Sequence, residues 1–156
     1  MPTEIERKYL INNNDWKNGL TESDSSFIQQ AYLSIDPDRV VRIRIRDTAA
    51  YLTVKSRAIG LTRKEYEYLI PLEDAVEMLQ LSKSRVLVKR RYEIIYHGMV
   101  WEIDEFLESD EGLVLAEIEL EHEKQEFEKP PWLGEEVTND PRYSNLSLAL
   151  DESSNK

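Results

Sequence analysis

Charged and apolar side chains alternate through several segments of this chain, with the two-residue period of a β-strand. Glu4, Glu6 and Lys8 interleave with Ile5, Arg7 and Tyr9. Arg42, Arg44 and Arg46 stand between Val41, Ile43 and Ile45, and Glu65 and Glu67 flank Tyr66. Glu102 and Asp104 flank Ile103, and Glu117 and Glu119 flank Ile118. This periodicity, with the turn residues between runs, predicts strands over 3–11, 27–35, 39–47, 50–57, 63–71, 85–96, 99–106 and 113–121. At Pro71 the period changes. Leu72, Ala75, Val76, Leu79 and Leu81 predict an amphipathic helix ending near Ser84. A short helix is expected around Trp16, capped by Asn14 or Asp15, within a polar loop over 12–26. Further helix is expected over 122–128 and over 144–150.

Eight strands in a meander favour closure, because a barrel removes the exposed edges of an open sheet. The expected fold is therefore mainly β (α+β): an eight-stranded antiparallel closed β-barrel, a tunnel with a charged lumen and helices packed outside. Residues 1–150 read as one domain, and 151–156 as a polar tail expected to be disordered. Each alternating segment also lines up like charges on one face, where two of them about 7 Å apart repel by roughly 2 kcal/mol. A merely solvated face usually mixes signs. Sorting by sign asks for counter-ions: cations for the acidic faces, anions for the basic ones.

The composition narrows the chemistry. A net charge of −11 argues against non-specific nucleic-acid or membrane binding. With no cysteine, disulfides and thiolate metal sites are excluded. His97 and His122 read as surface residues rather than zinc ligands. No apolar run reaches the roughly 20 residues of a membrane span, and no signal-peptide core opens the chain, so a soluble cytoplasmic protein is expected. The carboxylates Glu4, Glu6, Glu65, Glu67, Glu102, Asp104, Glu117 and Glu119, without histidine or cysteine beside them, favour a hard cation such as magnesium or manganese. Their plain structural alternative is salt bridging to the basic set, Lys8, Arg42, Arg44, Arg46, Lys55, Lys89 and Arg91, which suits phosphate oxygens. By alternation Arg7 and Arg90 belong to the outer face. No glycine-rich phosphate loop and no Ser, Cys or His nucleophile constellation competes.

The ordered set resembles the CYTH superfamily, the triphosphate tunnel metalloenzymes. Glu4-Ile5-Glu6-Arg7-Lys8 matches its ExExK signature. Gln30–Leu33, Arg42–Arg46, Leu52–Lys55, Glu65–Glu67, Lys89–Tyr92, Trp101–Asp104 and Ala116–Glu119 look like its successive strands. Trp132–Thr138 and Asp140–Asn145 resemble the ending of short bacterial members. The resemblance implies hydrolysis of inorganic tripolyphosphate to pyrophosphate and phosphate with magnesium or manganese, two ions, as cofactor. Glu4, Glu6, Glu117 and Glu119 would hold metal, with Asp104 a further ligand or an orienting group. Lys8, Arg42, Arg44, Arg46, Lys55, Lys89 and Arg91 would bind substrate. Lys89, Arg91, Glu6 and Glu119 would carry the chemistry, supported by Glu65 and Glu67. The partner is a small triphosphate, and a homodimer would be unsurprising.

Two departures stand out. Gln29-Gln30-Ala31 occupies the place of an Arg-Gln-Gly common in bacterial relatives, and Arg90 that of a smaller polar residue. The rivals are a class IV-type adenylyl cyclase, a nucleoside or thiamine triphosphatase, and a polyphosphate-binding module without chemistry. The His-Phe pair that tends to precede ExExK in those cyclases is missing from Met1-Pro2-Thr3. Trp16, Trp101 and Trp132 are the candidates for stacking on an organic group.

Overall fold

A computed structural model describes residues 3–150; the expected tail over 151–156 lies outside them. The strands are β1 (Thr3–Ile11), β2 (Ser26–Ser34), β3 (Arg39–Arg46), β4 (Ala49–Ser56), β5 (Thr62–Ile70), β6 (Leu87–Tyr96), β7 (Met99–Phe106), β8 (Val114–Glu119) and β9 (Leu133–Glu136). The helices are α1 (Leu72–Gln80) and α2 (Asn145–Leu150). Every pairing between strands is antiparallel. The order β5-β4-β3-β2-β6-β7-β8-β1 closes on itself through β5–β1, giving the expected eight-stranded barrel.

Among the described residues closure is brief: Thr3, Glu4 and Ile5 alone pair with β5. Further along the same edge of β1, β9 takes over, with Tyr9 opposite Glu136 and Ile11 opposite Leu133. This ninth strand was not expected. Gly134 permits its close approach, since a Cβ there would come within 2.9 Å of the Leu10 carbonyl oxygen. Residues 122–128 form turns and irregular chain, not a helix. The short helix at Asn14–Lys17 is a 3-10 turn capped by Asn13, whose side chain accepts from the Asp15 amide. At the β6–β7 hairpin, His97 and Gly98 both adopt positive φ (47° and 78°), as a two-residue primed turn requires. Both histidines are exposed.

Apolar residues on the outer faces pack under the flanking chain. Tyr9, Tyr92, Trp101, Ile103, Ala116 and Ile118 form one cluster with Trp16, Leu120 and Trp132. Ile43, Ile45 and Ala50 pack with Ala75 of α1. A third cluster sits at one end of the barrel. Leu87, Phe106 and Leu115 share the inner face with Lys89, Asp104 and Glu117, two residues away along each strand, and they meet Leu148 and Ala149 of α2. The inner face is thus charged along most of its length but apolar where α2 lies over it.

Candidate active site

The barrel encloses a cavity of about 740 Å³, and the expected charged residues point into it. Glu4, Glu6, Lys8, Arg42, Arg44, Arg46, Lys55, Glu65, Glu67, Lys89, Arg91, Glu102, Glu117 and Glu119 all contribute to its wall. Register sorts them by sign. Glu6 stands opposite Glu119 across β1–β8, and Glu117 opposite Glu102 across β8–β7. Like charges placed directly opposite are destabilising unless something lies between them. Around the ring, this acidic wall on β1, β8 and β7 faces Arg42, Arg44, Arg46 and Lys55 on β3 and β4. Arg7 and Arg90 lie outside as alternation predicts: Arg7 pairs with Glu136, and Arg90 reaches Glu22 and covers the Phe27 ring.

Many lumen charges are paired. Lys55 Nζ lies 3.1 Å from Glu4 and 3.2 Å from Glu65, and Arg63 Nε donates to Glu4 at 3.0 Å. Burial pushes the Glu4 carboxyl up, but Lys55 and Arg63 outweigh it and hold it far below the usual range. Arg42 reaches Glu67 at 3.4 Å and Thr53 at 3.2 Å, while its Nε is buried without a partner among the described residues. Lys8 donates to the Tyr143 carbonyl at 3.0 Å and lies 3.8 Å from Glu117. At the exposed mouth Arg46 pairs with Glu93 at 3.3 Å.

Asp104, on the inner face of β7, does not reach the cavity. It lies fully buried beneath Lys89 and Arg91, taking Lys89 Nζ at 2.7 Å and Arg91 Nε and Nη2 at 2.8 and 2.9 Å. Of its two expected roles, this position suits the orienting one. Arg91 also reaches Glu102 at 3.2 Å.

Three lumen charges lack an opposite among the described residues: Arg44, Glu6 and Glu119. Arg44 contacts no carboxylate among the described residues; its Nε donates to Gln30 Oε1 at 2.9 Å. Burial, then Arg42 and Arg91, push its pKa down to about 9. Glu6 has no hydrogen bond or ion pair among the described residues. Burial, then Glu117 and Glu4, raise its carboxyl well above the usual range. No three carboxylates among the described residues are gathered tightly enough to hold an ion as they lie. In donor chemistry the acidic wall nevertheless fits a hard cation: it is all oxygen, with unpaired Glu6 facing Glu119 across the strands.

Several lining residues escaped the sequence reading. Arg63 and Arg57 continue the alternating series of Glu65 and Lys55, a signal available in the sequence. Tyr32, Asn139, Pro141, Ser144, Asn145 and Leu146 also line the cavity, and nothing in local periodicity marks them. None of the three tryptophans reaches the lumen. All are buried in the outer cluster, where Trp101 meets Tyr9 at 5.7 Å and Trp132 at 6.1 Å between ring centroids.

The CYTH domain model matches residues 2–150. The chain belongs to the CYTH domain family. Among its CYTH relatives, the inorganic triphosphatase of Acetivibrio thermocellus is 44% identical over 149 residues, covering 95% of this chain and 94% of that protein. The inorganic triphosphatase of Nitrosomonas europaea is 37% identical over 152 residues, covering 95% and 97%. A solved crystal structure of an inorganic triphosphatase superposes with a TM-score of 0.68 at 34% identity, covering 95% of this chain and 98% of its own. Among the described residues of this CYTH chain, no helix is long and apolar enough to cross a membrane.

Proposed function

We propose that this CYTH protein is an inorganic triphosphatase that cleaves tripolyphosphate to pyrophosphate and phosphate within its barrel. The observation that carries the reading is the sorting of charge onto opposed walls, with Arg44 lacking an anion and Glu6 lacking a cation. A metal-complexed polyphosphate supplies both. The lining offers little to an organic substituent: Tyr32 is the only aromatic residue among the described lining residues.

Glu4, Glu6, Glu117 and Glu119 are the proposed ligands for magnesium or manganese, two ions in all. Bound there, such ions would neutralise phosphate oxygens and acidify the attacking water. The chain's own cations do the rest. Arg42, Arg44, Lys55 and Arg63 hold successive phosphates along one wall, and Lys8 meets them from β1. Lys89 and Arg91 are held by Asp104 from behind, which leaves their remaining N–H groups to stabilise the departing pyrophosphate. Positioning and charge stabilisation dominate phosphoryl transfer, so no side chain is assigned as a dedicated base.

Phosphorus NMR of tripolyphosphate incubated with protein and magnesium or manganese tests this reading. Equal amounts of pyrophosphate and phosphate are expected, with neither appearing in EDTA. Unchanged tripolyphosphate in the presence of both metals would overturn it.

A further inference from the structure

The cations Lys89 and Arg44 are joined by two neutral amides. Asn145 Oδ1 accepts from Lys89 Nζ at 3.0 Å and from Gln30 Nε2 at 2.9 Å. Gln30 Oε1 in turn accepts from Arg44 Nε at 2.9 Å. The polarity of this relay is forced from both ends. Lysine and arginine only donate, so oxygen must face each of them, and the Gln30 amide can then be satisfied in one orientation only. Gln30 is fully buried, so neither of its amide ends turns to water. Asn145 begins α2, whose Leu148 and Ala149 pack into the apolar end of the barrel. Its side chain is therefore placed by a segment more than fifty residues away in sequence from Lys89.

We propose that Asn145 is a positioning residue for the substrate cations, fixing Lys89 directly and Arg44 through Gln30. Through Asn145 the C-terminal segment contributes one fixed group to the phosphate-binding wall. The proposal rests on the triphosphatase reading for its consequence but not for its geometry. With Asp104 and Asn145 holding two of the three ammonium hydrogens of Lys89, the third is left for substrate. With its Nε held by Gln30, Arg44 keeps its terminal nitrogens for phosphate.

The test uses the full chain and tripolyphosphate in EDTA, read by calorimetry beside thermal melting. Asn145→Ala is expected to weaken tripolyphosphate binding about tenfold, the scale of one charge-assisted hydrogen bond. Leu148→Ala loosens the seat of α2 without touching the relay; it is expected to lower Tm while leaving affinity within about twofold of wild type. Unchanged affinity in Asn145→Ala, or an equal loss in Leu148→Ala, would overturn the proposal. A cycle of Gln30→Ala, Asn145→Ala and the double variant gives a readout independent of substrate. Non-additive changes in Tm are expected, and additivity would overturn the relay. Should wild type fail to bind tripolyphosphate in EDTA, the cycle alone decides the relay, while the proposed function is decided separately by the metal-dependent phosphorus NMR assay.

Discussion

Lys89 Nζ lies 2.7 Å from Asp104 Oδ2, and neither side chain has appreciable contact with solvent. Arg91 holds the same carboxylate through two nitrogens, so one buried anion serves two buried cations. Removing its charge leaves Lys89 without an anion and Arg91 with Glu102 alone, in a poorly hydrated place. Asp104→Asn is expected to cost about 3–5 kcal/mol, which lowers Tm by roughly 10 °C at neutral pH.

The same pair fixes a pH dependence. Burial acts to raise the Asp104 carboxyl, but Arg91 and Lys89 outweigh it and hold its folded pKa far below the ordinary value. A depressed folded pKa gives stability that is fully present above the unfolded value near 4 and is lost as pH falls towards the folded one. The Tm difference between wild type and Asp104→Asn should shrink as pH falls below about 4. A difference that instead grows in acid would contradict this assignment.

Glu4 and Glu6 share one strand face but not one circumstance. Glu4 is held by Lys55 and Arg63, whereas Glu6 faces like charges with no partner. Both substitutions to Gln are expected to abolish turnover. In EDTA their Tm values should move apart: Glu4→Gln falls, while Glu6→Gln rises by a few degrees as a repulsion of about 2 kcal/mol is relieved. Equal shifts, or activity retained in either variant, would remove that residue from the metal-ligand set.

Arg44 and Lys55 separate in the same way. Arg44→Ala breaks no ion pair, so it should weaken tripolyphosphate binding at little cost in stability. Lys55→Ala leaves Glu65 without a cation and Glu4 with Arg63 alone, and should lower both affinity and Tm. Titration calorimetry with melting curves for both variants checks this; unchanged affinity in both would exclude them from the substrate wall.

Calcium is expected to bind the acidic wall but support little turnover, because its looser coordination positions reactants poorly. A calcium-dependent rise in Tm together with slow phosphate release is the predicted pair of results. Turnover equal to that with magnesium would count against the proposed ion positions.

How much of this was legible in the sequence follows from the range over which each signal acts. Alternation is local, and it located the strands and the inward direction of Glu4, Glu6, Arg42, Arg44, Lys55 and Glu117. Sheet order was not read: the expected meander would set β1 beside β2, whereas β1 pairs with β5 and β8, and β2 with β3 and β6. Three features stayed hidden because long-range packing decides them. β9 is four residues with a glycine, too short and irregular to show a period, and the β1 edge creates it. Residues 122–128 lack helix: their one apolar side chain, Phe127, packs against Trp101 in the outer cluster. Gln30 and Asn145 are uncharged and lie far apart in sequence, so nothing local marks either as part of the phosphate wall. Arg63 belongs to a readable series with Glu65 and Glu67, and extending that alternation by one step would have found it.

The central claim is that charge alone, without an organic pocket, defines what the tunnel takes. Phosphate release from tripolyphosphate, ATP, GTP and thiamine triphosphate, measured side by side with magnesium and with manganese, tests it most directly. A strong preference for tripolyphosphate and no cyclic AMP from ATP are expected. A faster reaction with a nucleotide or thiamine triphosphate, or a cyclic product, would contradict it.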